Sequence, residues 1–307
     1  MLTRNSRTAT DPEVLMTAST PTASQLLGAL TALLLTWGCT AVQTNHPQAT
    51  DPFARIMAQG EQEFTQGQSD RAVASFSRAI RMEPARAEAW NALAFVKMHQ
   101  GKRAEAVHDL SQATTLAPEN VLYRNNLGVA YLELGNPASA LDVLQEAVRL
   151  SPRSALALTH RGLAYRQLGR LDEALADFNA ALDLDNRMAA AYANRAVVHA
   201  LKRDFLLAKQ DLDRAEALDR SLAEVYESRG LIQILTGEFD LAVQDLSQAL
   251  ALGATDNLLY FNRAVALSML GDSASAQRDY QTSCQRGYTP ACPFSQVHYS
   301  PPSSAAL

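Results

Sequence analysis

Lysine is nearly missing from this chain. Its 307 residues include four, Lys97, Lys102, Lys202 and Lys209, and the other 23 of its 27 basic side chains are arginines. Against 32 acidic residues this leaves a formal net charge of −5 and no basic stripe, so nothing electrostatic argues for a nucleic-acid partner. No Gly-rich phosphate loop, paired-histidine metal motif or nucleophile-elbow pentapeptide occurs. Six histidines are scattered; His160 and His199 have no third ligand in view, and neither a metal site nor a cofactor is expected. The run Leu26 to Gly38, broken only by Thr31 and Thr36, is 13 residues long, too short to cross a bilayer as a helix. Apolar residues still make up 47% of the chain, enough for a sizeable core.

What the chain has in abundance is periodicity. A 34-residue unit repeats seven times without insertion or deletion, over 53–86, 87–120, 121–154, 155–188, 189–222, 223–256 and 257–290. Position 20 is alanine throughout, from Ala72 to Ala276, and position 8 is always Gly or Ala. Position 27 is alanine six times and then Ser283; position 24 is Phe, Leu or Tyr. Positions 20, 24 and 27 fall on one helical face. The small residues let helices approach, and the large ones are expected to fill the space between successive units. Position 15 is glycine in six units, where a first helix should end in a left-handed cap; Arg203 breaks the rule. Pro84, Pro118, Pro152 and Pro290 stop a second helix, whereas units four to six have Asn186, Arg220 and Ala254 there and less sharply fixed joints are expected. Each unit reads as helix, turn, helix, turn.

The pattern resembles the tetratricopeptide repeat, carried in unit two by Trp90, Leu93, Ala94, Gly101, Ala106, Leu110, Ala113 and Pro118. In unit three Leu127, Gly128, Tyr131, Gly135, Ala140, Leu144, Ala147 and Pro152 match it. The resemblance implies an all-α, right-handed superhelical solenoid whose concave groove is lined by the first helices. It also implies protein or peptide partners for that groove rather than chemistry. Groove candidates are Phe95, Met98, Leu122, Val129, Leu132, Leu163, Arg166, Val197, Leu231, Ile234, Phe261 and Val265, some of which can instead pack between neighbouring helices. The Lys and Arg of the carboxylate clamp found in chaperone-binding relatives are missing around Asn126, Asn194 and Asn262, so chaperone tails are not expected ligands.

Position 7 divides the array. Arg161, Arg195, Arg229 and Arg263 occupy it in units four to seven, with Asp177, Asp211, Asp245 and Asp279 at position 23. An arginine facing a helix-pair core requires a partner, so an Arg–Asp pair within each unit is expected.

The two ends point to export. Arg4 and Arg7 precede the apolar run, which suits a signal peptide over 1–38, with Met16 as an alternative start. Gly38 before Cys39 resembles the lipobox of bacterial lipoproteins, although Thr36 and Trp37 depart from it. That resemblance implies lipid on Cys39, a polar tether over 39–52 and a place on the periplasmic face of the outer membrane. A simply cleaved signal and an uncleaved cytoplasmic protein are the alternatives. Asp51-Pro52 reads as N-cap and first helical residue. Cys284 and Cys292 have the spacing of the bridged cysteines in Sel1-like repeats, which implies a disulfide that closes the last unit ahead of a tail over 291–307. Two ordinary thiols are the alternative. The whole resembles membrane-anchored tetratricopeptide-repeat adaptors of the NlpI type and, equally, pilus-biogenesis pilotins. Both imply a non-catalytic scaffold, the cytoplasmic cochaperone being the reading if the leader stays.

Overall fold

The computed structural model describes residues 51–254 and 257–295. The apolar run, Cys39 and the end of the tail lie outside them. Fourteen helices follow one another in pairs: α1 (Pro52–Thr65), α2 (Ser69–Met82), α3 (Ala87–His99), α4 (Arg103–Leu116), α5 (Val121–Glu133), α6 (Pro137–Leu150), α7 (Ala155–Gln167), α8 (Leu171–Leu184), α9 (Ala189–Leu201), α10 (Phe205–Leu218), α11 (Ala223–Thr236), α12 (Phe239–Ala251), α13 (Asn257–Met269) and α14 (Ser273–Gln285). A 3-10 turn (Thr289–Ala291) and the four-residue α15 (Cys292–Ser295) end the described chain. No strand occurs among the described residues, and no described helix is long and apolar enough to cross a membrane. The helices fall into two compact units, 51–191 and 192–295.

The helix pair is built on a small residue facing a large one. A Cβ on Gly60 would lie 2.7 Å from the Phe76 ring, and one on Gly162 would lie 2.9 Å from Phe178. Gly128 meets Leu144 and Gly230 meets Leu246 in the same way. Position 24 therefore seats on position 8 of its own unit, which corrects the expectation that it mainly fills the space between units. The seven alanines at position 20 are at most 2% exposed, which lets the second helix lie close to the first.

Local signals set the ends. Asp51 Oδ1 accepts from Phe53 N at 2.9 Å, ahead of Pro52 as first helical residue. Asn120, Asn136, Ser154 and Asp272 cap their helices likewise. At the first-helix exits the six position-15 glycines have φ of 73° to 85°. Arg203 takes the same left-handed conformation, φ 66°, with Arg203 N bonded to Ala200 O and Asp204 N to His199 O. The chain geometry overrides the side chain here, at a cost of about 1 kcal/mol.

The joints without proline use other devices. Asp185 Oδ1 accepts from Arg187 N at 3.0 Å, and Asp219 Oδ1 accepts from Ser221 N at 2.8 Å. Unit six turns on Gly253, φ 91°, with Ala254 N bonded to Ala249 O. Position 4 also ties back to the preceding position 32: Trp90 donates to Pro84 O, Arg124 to Pro118 O and Tyr226 to Arg220 O. The joints after units four and five are as locally specified as those with proline.

Cys284 and Cys292 are disulfide-bonded. The segment they hold is a short helix rather than a plain tail. From it Phe294 stacks on Tyr280, ring centroids 5.2 Å apart, and Tyr288 lies 5.2 Å from Phe261. The last apolar face is thus covered by aromatic rings.

Replacing Arg203 with Gly should raise stability by about 0.5–1 kcal/mol, because glycine adopts positive φ without strain. Urea unfolding of the two proteins measures this.

Candidate functional site

Two kinds of side chain on the first helices could act: those that lock a helix pair and those that face outward. The four arginines at position 7 belong to the first kind. Arg161 donates from Nε and Nη2 to the two carboxylate oxygens of Asp177, both at 2.7 Å. Arg195 holds Asp211 at 2.8 and 2.6 Å, Arg229 holds Asp245 at 2.8 and 2.8 Å, and Arg263 holds Asp279 at 2.6 and 2.8 Å. All are two-pronged, and each aspartate is largely buried while its arginine keeps about a fifth of its surface. Hydrogen bonds to Asp177 and Asp279 raise the Arg161 and Arg263 guanidinium pKa values. Tyr192, Tyr226 and Tyr260 at position 4 lie one turn away with their rings near Arg195, Arg229 and Arg263; in unit four Tyr165 serves Arg161 instead.

Position 11, which the sequence reading passed over, completes the pattern. In unit two Lys97 lies 2.6 Å from Asp109, whose carboxyl burial pushes up in pKa while Lys97 draws it down. In unit one Ser75 donates to Glu63 at 2.6 Å. Gln233 donates to Asp245 at 2.8 Å, and His199 Nε2 stands 3.9 Å from Asp211. In unit three the corresponding residues, Tyr131 and Val143, pack on one apolar cluster with Leu127. The signal was available in unit two, where Asp109 has no arginine at position 7 and Lys97 stands 12 residues before it.

A second set of polar contacts links successive first helices at a spacing of 35. Asn126 donates to Asn91 at 2.8 Å, and Asn125 Oδ1 lies 2.9 Å from His160 Nδ1. Burial lowers the His160 pKa to about 4. Glu133, approached by Arg103 Nε at 3.4 Å, is pushed to about 7 by burial, against which Arg103 acts.

The predicted groove residues divide. Met98, Leu132, Leu163, Val197, Leu231, Ile234, Phe261 and Val265 are buried, so they form core and not lining. Stacking is the reason: Met98 packs with Leu127 of the next first helix, and Leu231 and Ile234 share a cluster with Phe261 and Val265. Phe95, Leu122, Val129 and Arg166 remain half-buried. Leu122 and Val129, seven apart, share a face of α5. Phe64, at position 12 of unit one, meets Phe95 edge-on at 5.2 Å and His99 at 5.2 Å. Half-buried apolar side chains thus remain on α1, α3 and α5, the first helices of units one to three. Among the described residues no group of three His, Cys, Asp or Glu side chains is placed to hold a metal.

Asp279→Ala should cost about 2–3 kcal/mol, since Arg263 then loses its carboxylate and keeps the neutral Ser247 hydroxyl at 3.1 Å and the Tyr260 ring. Asp245→Ala should cost about 1–2 kcal/mol, because Glu216 also bonds Arg229. Thermal denaturation of the two variants checks the order. Glu133 and His160 act oppositely on pH dependence. Glu133, raised from 4.5 to about 7, loses stability as pH rises over that window; His160, lowered from 6.5 to about 4, loses it as pH falls over its own. Relative to the parent, Glu133→Gln should make stability rise with pH between 4.5 and 6.5, and His160→Gln should make it fall. Urea midpoints across that range measure both slopes.

Residues 57–95, 96–155 and 131–193 match the family model described as tetratricopeptide repeat. No curated protein matches. A crystal structure of a tetratricopeptide repeat protein from Parabacteroides merdae is similar at TM-score 0.65 and 20% identity, covering 79% of this chain and 97% of that one. PilW, described as a widely conserved type IV pilus biogenesis factor, is similar at TM-score 0.57 and 18% identity, covering 66% and 94%. The Cut9–Hcn1 hetero-tetramer of the APC/C is similar at TM-score 0.67 and 17% identity, covering 92% of this chain and 54% of that one. At these identities the likeness is one of fold. The family match thus covers residues 57–193, and the helix pairs that follow repeat the same 34-residue helix-turn-helix pattern to Gln285.

Proposed function

We propose that the chain is a non-catalytic scaffold that binds protein partners on its first helices and is held at a bacterial envelope membrane by lipid on Cys39. The observation that carries the binding half is the half-buried apolar surface of α1, α3 and α5. There Phe64, Phe95, Leu122 and Val129 stay accessible, whereas the equivalents of Val129 in units four to seven are buried. Such a surface, with Glu61 exposed on α1, suits an amphipathic helix or an extended apolar segment of a partner. The anchoring half rests on the sequence: Arg4 and Arg7, the 13-residue apolar run and Gly38-Cys39. A lipidated solenoid at the periplasmic face of the outer membrane would gather partners near the membrane by raising their local concentration. The same arrangement serves a pilotin-like chaperone, which differs only in what is bound.

A photo-crosslinking amino acid placed at Phe95 or Val129 in cells should yield adducts with a protein partner that the same probe at exposed Arg78 does not. Equal labelling at all three positions would contradict the assignment. Mass spectrometry of the mature N-terminus tests the anchor: diacylglyceryl-Cys39 is expected, and an intact Met1 would overturn it.

A further inference from the structure

Unit five departs from its neighbours along one exposed edge. Leu206 and Leu207, in the first turn of α10, are 72% and 45% exposed. Leu241, the equivalent of Leu207 in unit six, is also 45% exposed. Residues 34 apart stand at the same position of successive units, so Leu207 and Leu241 face the same side. Exposed leucines on adjoining units are a feature that water does not favour.

The charges around them are sorted by unit. Lys202, Arg203, Asp204 and Lys209 are all exposed and sum to +2 beside Leu206 and Leu207. Glu238 and Asp240 are exposed and sum to −2 beside Leu241. Two of the chain's four lysines are in this short stretch. Arg203 also holds the strained left-handed position that glycine occupies in six of the seven units.

We infer that this edge of units five and six is a self-association surface whose occupant is a second copy of the chain. A two-fold axis between the two units sets the +2 end of one copy on the −2 end of the other, in both directions at once. The same operation pairs Leu207 with Leu241 of the second copy. A uniformly anionic lipid surface fits less well, since Glu238 and Asp240 would be repelled by it. A partner of one sign meets the same conflict.

Sedimentation velocity of the full chain tests the inference. The parent should sediment as a dimer at micromolar concentration, and Leu206→Asp with Leu207→Asp should weaken association by at least about tenfold. Glu238→Lys with Asp240→Lys should weaken it similarly, since both ends then become positive. Adding Lys202→Glu and Lys209→Glu inverts the pattern to −2 and +2 and should restore the dimer, with far-ultraviolet dichroism unchanged throughout. A parent that stays monomeric at about 100 μM would overturn the inference, as would a dimer indifferent to the leucine changes or a folded inverted variant that stays monomeric. Binding of the monomer to phosphatidylglycerol vesicles, lost in the leucine variant, would assign the edge to a membrane and likewise overturn it.

Discussion

The contact between a small residue at position 8 and a large one at position 24 is what the rest of each helix pair depends on. It spans 16 residues, from the first helix to the second. The Arg–Asp bonds span the same 16 residues, from positions 7 and 23, one step earlier on both helices. A two-pronged guanidinium bond demands a nearly fixed separation and angle between its two backbones. The packing of Phe178 on Gly162 or Leu246 on Gly230 supplies that separation. Packing thus comes first, and the ion pair adds direction to an approach already made.

The polar contacts then separate units that packing alone would leave alike. Position 23 meets a partner from position 7 in units four to seven and from position 11 in units one and two. Unit three does without and uses an apolar cluster. Largely buried pairs of this sort add little net stability compared with well-packed apolar residues, but breaking one is costly. Their value lies in pairing each second helix with its own first helix, which matters in a chain of near-identical units. The Asn91–Asn126 and Asn125–His160 contacts do the same between neighbouring first helices.

Much of this was legible in the sequence. The 34-residue register places every first helix to the residue from Ala87 onward, because alanine and glycine at fixed positions leave no other phase. Arg161 to Asp279 were readable because charge at a core-facing position must be answered from the facing helix. Two things were not. The groove list mixed core with surface: position 9 is half-buried at Phe95 and Val129 but buried at Val265, and that depends on how the neighbouring helix stacks. The partner of Asp109 was missed because Lys97 answers from position 11 and not from position 7. Arg203 was read as an exception to the glycine rule, yet its backbone obeys the rule; the tertiary frame imposes φ 66° on a residue that does not prefer it.

Binding by such an array draws on rigidity, since first helices held in register present their outward side chains without further ordering. The account therefore stands on the claim that the small–large contact sets the helix separation. A double-mutant cycle on Arg161 and Asp177, run in the parent and in Gly162→Ala, tests this most directly. The added methyl would lie 2.9 Å from Phe178 and push the helices apart. The account predicts that the coupling energy of the pair falls by at least about half in Gly162→Ala. A coupling energy that is the same in both backgrounds would contradict it.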